Sequence, residues 1–148
     1  MRYPADAQGA VMLSGAEYAG YLPNHLAPET FARFRATVHV PRRYYSQSLP
    51  GIPTIRVFEA LACGIPLVSS PWQDTEGLFR PGTDFLMADD RAGMEAHLRA
   101  VLNDAGLRES LIGHGLETIH NRHTCAHRVD ELLGICRGIG NPLLMEAR

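Results

Sequence analysis

The 148-residue sequence lacks a strong charge of either sign and a long hydrophobic run, and its opening residues do not have the pattern of a leader. Its formal net charge is −2, and a balance this close to zero argues against broad electrostatic binding to nucleic acid or to an anionic membrane surface. No apolar run approaches the roughly 18 residues that a membrane-spanning helix needs. The opening residues, MRYPADAQGA, are too polar for a secretory signal peptide. We therefore expect no membrane span and no nucleic-acid partner.

Cysteine is also scarce, and linkers and repeats are missing. The three cysteines, Cys63, Cys125 and Cys136, form no regular disulfide framework. Without an export signal, reduced thiols and a cytoplasmic location are the expectation. No internal repeat or low-complexity linker divides the chain, and its length suits one domain. We assign residues 1–137 to this domain and residues 138–148 to a C-terminal tail.

Several well-known site motifs are absent as well. The segment GLFRPGTD lacks the spacing of a Walker phosphate loop, which disfavours a nucleoside triphosphatase. No G-x-G-x-x-G follows a predicted strand, which disfavours a Rossmann dehydrogenase. No pairing of a nucleophile with a base, such as a Ser–His–acid set, emerges either.

What the sequence does contain is an alternation of helical and strand-like segments. The predicted strands are AEYAGYLPN, ATVHVP, IPLVSSP and DFLMAD. The predicted helices are ADAQGAVMLSG, PETFARFR, TIRVFEALACG, DRAGMEAHLRAVLND, AGLRESLIGHGLETIHNRH and TCAHRVDELLGICRGI, and RRYYSQSLPGIP reads as a loop. Strands that alternate with helices indicate a parallel sheet with helical crossovers. We predict an α/β Rossmann-like sheet flanked by helices, with a helical C-terminal extension.

The helix around Glu59 is the most informative segment. Val57, Phe58, Leu61 and Ala62 fall on one face that we expect to pack on the sheet. The helix start exposes unpaired N–H groups at the positive end of the helix dipole, and this end of an open α/β sheet is where phosphates bind. Glu59 could then accept hydrogen bonds from a ribose diol.

An alternative explanation for Glu59 is structural. Arg56 and Glu59 lie three positions apart on the same helix, so they could form only a surface ion pair. Thr54 is the candidate cap of this helix.

Two neighbouring loops supply further candidates. Arg42 and Arg43 follow a predicted strand and could contact phosphate, or they could simply lie in a solvated loop. Glu76 lies in the loop after PLVSSP, at a strand's carboxyl end where it could touch a ligand. In the same loop, Trp72 could stack on a base or a sugar, or it could cover the core.

Two histidine positions have mainly structural explanations. His123 and His127 are four apart and could share a metal on a continuous helix, but Thr124 between them is typical of a helix cap, so we expect no metal. His39 lies in the strand ATVHV, where a hydrogen-bonded structural histidine is the preferred interpretation over a side chain that points to a pocket edge or to solvent.

The string RVFEALACGIPLVSSPWQDTEGLFRPGTDFLMADD, followed by a helix and RHTCAHRVDELL, resembles a known family. It is similar to the C-terminal donor-binding domain of retaining GT-B glycosyltransferases, and most closely to the group related to the spore-maturation protein CgeB. The resemblance runs from about Tyr18 to Leu133. It implies one half of a two-domain enzyme, a nucleoside-diphosphate sugar as the donor substrate, no metal or other cofactor, and Glu59 as the residue that holds the donor ribose.

The sequence departs from that family at one position of the expected donor site. Many relatives carry another glutamate eight positions before the ribose-binding one, and this chain has Gly51 there. Donor contacts would then come from the backbone of Gly51 and Ile52, the Thr54 hydroxyl and Arg56. Arg42 and Arg43 would substitute for the basic pair that contacts the diphosphate in the family.

The family also has an N-terminal acceptor-binding domain, for which 148 residues leave no room. We therefore expect an N-terminally incomplete domain that binds a nucleotide sugar and does not transfer the sugar alone, since transfer needs donor and acceptor held together without water. The alternative is a non-catalytic nucleotide-binding or protein-interaction module that keeps a degenerate glycosyltransferase fold.

Overall fold

The computed structural model describes residues 5–41, 43–49 and 51–139. Three strands form its sheet: β1 (Thr37–His39), β2 (Leu67–Ser69) and β3 (Leu86–Met87). The helices are α1 (Ala5–Ser14), α2 (Ala27–Phe31), α3 (Arg43–Ser48), α4 (Ile55–Ala62), α5 (Arg91–Asn103), α6 (Ala105–Arg122) and α7 (Cys125–Gly138), with a 3₁₀ helix at Asn24–Leu26.

All three strands are parallel and adjacent in chain order. β1 pairs with β2 so that His39 faces Ser69, and β2 pairs with β3 so that Ser69 faces Met87. Helices separate β1 from β2, as parallel pairing requires. The predicted α/β class, with a parallel sheet flanked by helices and a helical C-terminal stretch, is confirmed.

The sheet separates two apolar clusters. Leu67 packs with Val57 and Leu61 of α4, whereas the next residue, Val68, packs with Val101 of α5 on the other side. Successive side chains of a strand point to opposite faces, so β2 contributes to both clusters. Helices α4 and α5 therefore cover opposite faces of the sheet.

The sheet-facing side of α4 follows the helical period. Val57, Ala60 and Leu61 are buried and Phe58 is half-buried, but Ala62 is exposed, so the predicted packing of Ala62 is wrong. Ala60 takes that place because it lies between Val57 and Leu61 on the inner face. The predicted stop at Gly64 is confirmed, since Gly64 has a φ of 66°, which glycine adopts without strain.

A similar correction applies to α5. From the sequence alone, Met94, Leu98, Val101 and Leu102 are predicted to form one apolar stripe of this helix. The first three pack in the cluster around Val68, whereas Leu102 is 45% exposed. Leu102 is one position beyond the buried Val101, so the 3.6-residue period rotates it toward solvent.

The predicted strand AEYAGYLPN is wrong, because residues 16–23 have no regular structure and lead into the 3₁₀ helix. Tyr21 is 88% exposed and Gly20 has a φ of 84°, so this segment has neither the burial nor the extended backbone of a strand.

The predicted loop RRYYSQSLPGIP also differs, since α3 forms inside it. Pro41 and Gly51 lie on either side of this helix, where neither interrupts its hydrogen bonds. Of the predicted tail, residues 140–148 lie outside the described residues. No described helix is both long enough and apolar enough to span a bilayer.

Candidate functional site

Three segments meet at the carboxyl edge of the sheet: the end of β1, the end of β2 and the start of α4. His39 closes β1 and Ser69 closes β2 in the paired register. The Thr54 hydroxyl lies 2.7 Å from Nε2 of His39, which fixes the start of α4 beside both strand ends. Ligands of open α/β sheets bind at this edge.

A directional chain of hydrogen bonds joins these segments. The Ser69 hydroxyl donates to the Ser70 carbonyl at 2.8 Å, so its oxygen accepts from Nδ1–H of His39 at 2.9 Å. A neutral imidazole has one donor and one acceptor nitrogen. Nε2 of His39 therefore accepts, and the Thr54 hydroxyl donates to it at 2.7 Å.

His39 is buried and uncharged in this arrangement. Its ring is 5% exposed, and burial lowers its pKa, because removal from water disfavours the imidazolium. The flanking Val38 and Val40 are exposed, so the strand turns its polar residue inward. The interpretation of His39 as a hydrogen-bonded structural histidine is confirmed.

Thr54 occupies the N-cap position of α4 but does not cap it. Its backbone is extended, with φ −83° and ψ 154°, yet its side chain accepts no hydrogen bond from the helix. The predicted capping contact is wrong: the side chain lies toward His39, to which its hydroxyl donates, and its oxygen receives no N–H of the helix. The Val57 N–H donates to the Thr54 carbonyl, whereas the N–H groups of Ile55 and Arg56 have no partner within the described ranges.

Arg56 and Glu59 do form an ion pair. Nη1 of Arg56 lies 2.7 Å from Oε2 of Glu59, with the side chains 60% and 17% exposed. Because α4 has 8 residues and Glu59 is its fifth, the carboxylate lies about one turn inside the helix start. Both the surface pair and a ligand role remain compatible with this position, since Oε1 has no partner among the described residues.

Cys63 follows Glu59 by one turn and ends α4. Burial and the nearby Glu59 carboxylate both raise the pKa of this thiol. Only the thiolate is a strong nucleophile. Cys63 therefore lacks the protonation state that a catalytic cysteine needs at neutral pH.

The segment before α4 touches the loop that follows β2. A Cβ atom at Gly51 would lie 2.8 Å from Oγ1 of Thr75, so the Thr75 side chain fills the space beside the glycine. This contact brings Gly51 and Ile52 close to the loop that carries Glu76, which is exposed. The Ile52 N–H already donates to the Leu49 carbonyl at 3.1 Å, so this predicted backbone contact to a ligand has an internal partner.

The loop at 70–79 is packed onto the core. Trp72 stacks on Phe85 with 6.4 Å between ring centroids and an interplanar angle of 14°. Of the two interpretations of Trp72, the structure supports the cover over the core. The Asp74 carboxylate accepts from the Phe79 N–H at 2.8 Å, and the Gly77 N–H donates to the Asp74 carbonyl, which closes a turn.

The junction of α6 and α7 holds the same loop from the other side. Arg122 donates to the carbonyls of Gly77 and Leu78 at 2.8 and 3.1 Å. His123 ends α6 and donates from Nε2 to the Leu78 carbonyl at 2.9 Å, while Thr124 caps α7. The predicted cap at Thr124 is confirmed. His123 holds the loop in place through its hydrogen bond to Leu78.

Comparison with known proteins adds a family to this geometry. A family model described as glycosyl transferase-like matches residues 2–134. The chain belongs to this glycosyl transferase-like family. Neither the curated proteins nor the solved structures contain a significant match.

The structure gathers most of the predicted donor residues of this glycosyl transferase-like chain at one edge. Gly51, Ile52 and Thr54 lead into α4, which carries Arg56 and Glu59. Their assignment to a donor stays a prediction.

The basic candidates lie differently. Arg42 falls outside the described residues, and Arg43 is the first residue of α3, just past the end of β1. Within the described part of the chain, no group of three or more His, Cys, Asp or Glu side chains is placed to hold a metal ion.

Ser69 is the functional candidate that sequence reasoning missed. It is fully buried at the end of β2, and its oxygen accepts a hydrogen bond from Nδ1–H of His39. The available signal was a small polar residue that ends an otherwise apolar strand. Its partner is 30 residues away, so only the strand register brings the two together.

Proposed function

We propose that this chain binds the nucleoside diphosphate of a sugar donor at the carboxyl edge of its sheet, as the donor-binding half of a GT-B glycosyltransferase. The observation that carries the proposal is the start of α4. It lies at the ligand-binding edge, has two N–H groups without a described partner, and places a carboxylate one turn further along.

The diphosphate would bind at the N-terminal end of α4. The Ile55 and Arg56 N–H groups and the positive end of the helix dipole attract an anion together. The Arg56 side chain is 60% exposed and lies on the first turn, so its guanidinium can swing toward a phosphate. Gly51 precedes this position and lies beside Thr75, the chain neighbour of the exposed Glu76.

Glu59 would hold the ribose diol. Two hydroxyl groups can donate to one carboxylate, and Glu59 keeps Oε1 without a described partner while Oε2 accepts from Arg56. The existing ion pair with Arg56 orients the carboxylate and leaves Oε1 available to a ligand. An exposed pair of this kind contributes only about 0–1 kcal/mol to stability, so a ligand could displace it at little cost.

The finer features of the proposal come from the sequence resemblance. We place the chain closest to the CgeB-like group and expect transfer without a bound metal or other cofactor, in the cytoplasm. The domain would span residues 1–137, and an acceptor-binding domain would have to complete the catalytic cleft.

A second candidate is a non-catalytic nucleotide-binding or protein-interaction module with the same fold. Two observations favour it. Thr75 occupies the space beside Gly51, where relatives carry a glutamate, and Arg56 already neutralises Glu59.

Titration with UDP, GDP and their sugar adducts, followed by calorimetry or NMR, distinguishes these candidates. For Glu59→Gln we expect binding weaker by about 1–3 kcal/mol, the scale for losing hydrogen bonds to a charged group. The matched control is Glu131→Gln, because Glu131 pairs with Arg128 at the same three-residue spacing and 2.8 Å on α7.

The expected result is a loss of affinity in the first variant and none in the control. Absence of nucleotide binding at millimolar concentration by the wild-type chain would refute the donor site. Equal affinities of the wild type and Glu59→Gln would leave a nucleotide-binding module in which Glu59 has no part.

A further inference from the structure

We propose that His39 is a positioning residue that keeps the start of α4 open for an anion, by holding the Thr54 hydroxyl away from the helix it would otherwise cap. The role of the opened position in donor binding rests on the proposed function. The hydrogen-bond chain through His39 is a property of the structure itself.

The first step of the argument is the backbone of Thr54. A threonine at an N-cap, with an extended backbone, normally accepts a hydrogen bond from an N–H two or three residues further along. Thr54 has this position and this conformation, yet its side chain makes no such bond. Something outside the helix must therefore compete for the position of the side chain, since a hydroxyl that donates one hydrogen bond can still accept another.

The competitor is Nε2 of His39, 2.7 Å from the Thr54 hydroxyl. The bond is directional, because the Ser69 hydroxyl donates to the Ser70 carbonyl and so fixes Nδ1 of His39 as the donor nitrogen. A buried acceptor nitrogen needs a donor, and leaving it unpaired is unfavourable. His39 thus holds the Thr54 side chain at the sheet.

Loss of the acceptor at position 39 would release Thr54. Its side chain could then rotate about χ1 and cap α4, which would occupy the helix start from inside the protein. Such a cap lowers the equilibrium constant for opening of the helix start by about fivefold. The same cap would exclude an anion, so stability of the helix end and affinity for an anion would change in opposite directions.

His39→Asn is the main variant, because an asparagine amide can still donate to Ser69 but is too short to reach Thr54. His39→Gln is its matched control, since the longer amide oxygen can accept from Thr54. Thr54→Val removes the hydroxyl that would form the cap, and His39→Asn combined with Thr54→Val tests the two together.

The readouts are amide hydrogen exchange at Arg56 and Val57 without ligand, and NMR titration with UDP and GDP. In His39→Asn we expect exchange slower by about fivefold and nucleotide affinity lower by about fivefold, the size of a typical N-cap. The double variant should recover the wild-type exchange rates to within about twofold, because valine cannot cap. His39→Gln should stay within about twofold of wild type in both.

Faster exchange at these amides in His39→Asn would mean that His39 only supports the fold, and the proposal would be wrong. Failure of the double variant to recover would overturn it too. If wild type binds neither nucleotide but exchange follows the expected pattern, the donor function fails and the uncapping by His39 stands. Binding by wild type with unchanged affinity in His39→Asn would reject the positioning role alone.

Discussion

Two buried polar networks among the described residues differ in how many of their polar atoms have hydrogen-bond partners inside the protein. The first surrounds Asp84, which is fully buried before β3. Its carboxylate accepts from the Arg80 N–H at 2.8 Å, from the Arg80 guanidinium at 2.8 and 3.1 Å and from the Thr118 hydroxyl at 3.0 Å. The hydrogen bond to Asp84 raises the pKa of Arg80, which stays charged.

The second network, at the carboxyl edge, ends in atoms without internal partners. Its chain runs from the Ser70 carbonyl through Ser69 and His39 to the Thr54 hydroxyl. The N–H groups of Ile55 and Arg56 come after Thr54, and no described residue accepts a hydrogen bond from them. A saturated network can only stabilise the fold, whereas an open one can also bind a ligand. We therefore expect substitutions in the first network to change mainly stability, and substitutions in the second network to change ligand binding as well.

The largest effect is expected for Asp84→Ala. The substitution leaves the Arg80 N–H and the Thr118 hydroxyl without their acceptor, so the free energy of unfolding should fall by about 2–4 kcal/mol. Urea denaturation measures it. The matched control is Glu117→Gln, since Glu117 contacts the same Arg80 at 3.5 Å but is 56% exposed, and should change stability by about 0.5 kcal/mol or less. A stable Asp84→Ala protein with reduced nucleotide affinity would contradict the comparison.

The pH dependence of stability gives the next effect. Burial lowers the pKa of His39 in the folded protein, so the unfolded chain takes up the proton first as the pH falls below about 6.5. Stability should decrease from that pH down to the folded-state pKa, with a slope no steeper than about 1.4 kcal/mol per pH unit. Comparing the free energy of unfolding of wild type and His39→Gln between pH 7.5 and about 5 isolates the contribution of His39 to this pH dependence. Identical curves would show that His39 is not the titrating group.

The smallest effect is expected for Gly51→Ala. The new methyl group would lie 2.8 Å from Oγ1 and 3.1 Å from Cγ2 of Thr75, so the threonine must move. We expect a loss of about 0.5–1 kcal/mol, because both residues lie in surface loops that can adjust. Thr75→Ala should remove that loss when combined with Gly51→Ala. A loss that persists in the double variant would place the strain in the backbone of residue 51 instead.

The sequence predicted the parts of this molecule that depend on local patterns. The apolar runs around Val38, Val68 and Leu86 predict strands, and the chemistry of Gly64 and Thr124 predicts helix ends. Position of the candidate site followed from the rule that parallel sheets bind ligands at their carboxyl edge.

What the sequence could not supply depends on contacts between distant segments. Thr54 was assigned to a cap because the local pattern favours it, and only the register of β1 shows that His39 takes its hydroxyl. Similarly, a glycine in place of a glutamate was only a departure from a pattern. The structure adds that Thr75, 24 positions further along, fills the space beside it.

Phe58 connects α4, the helix whose start lies beside Thr54, to the C-terminal helices α6 and α7. It lies on α4, one position before Glu59, and its ring packs edge-on against Phe79 and His123 at centroid distances of 4.9 and 5.3 Å. A rotation of α4 would have to push these rings, and His123 lies at the bend between α6 and α7. The aromatic contact therefore joins the helix that carries Glu59 directly to the junction of α6 and α7.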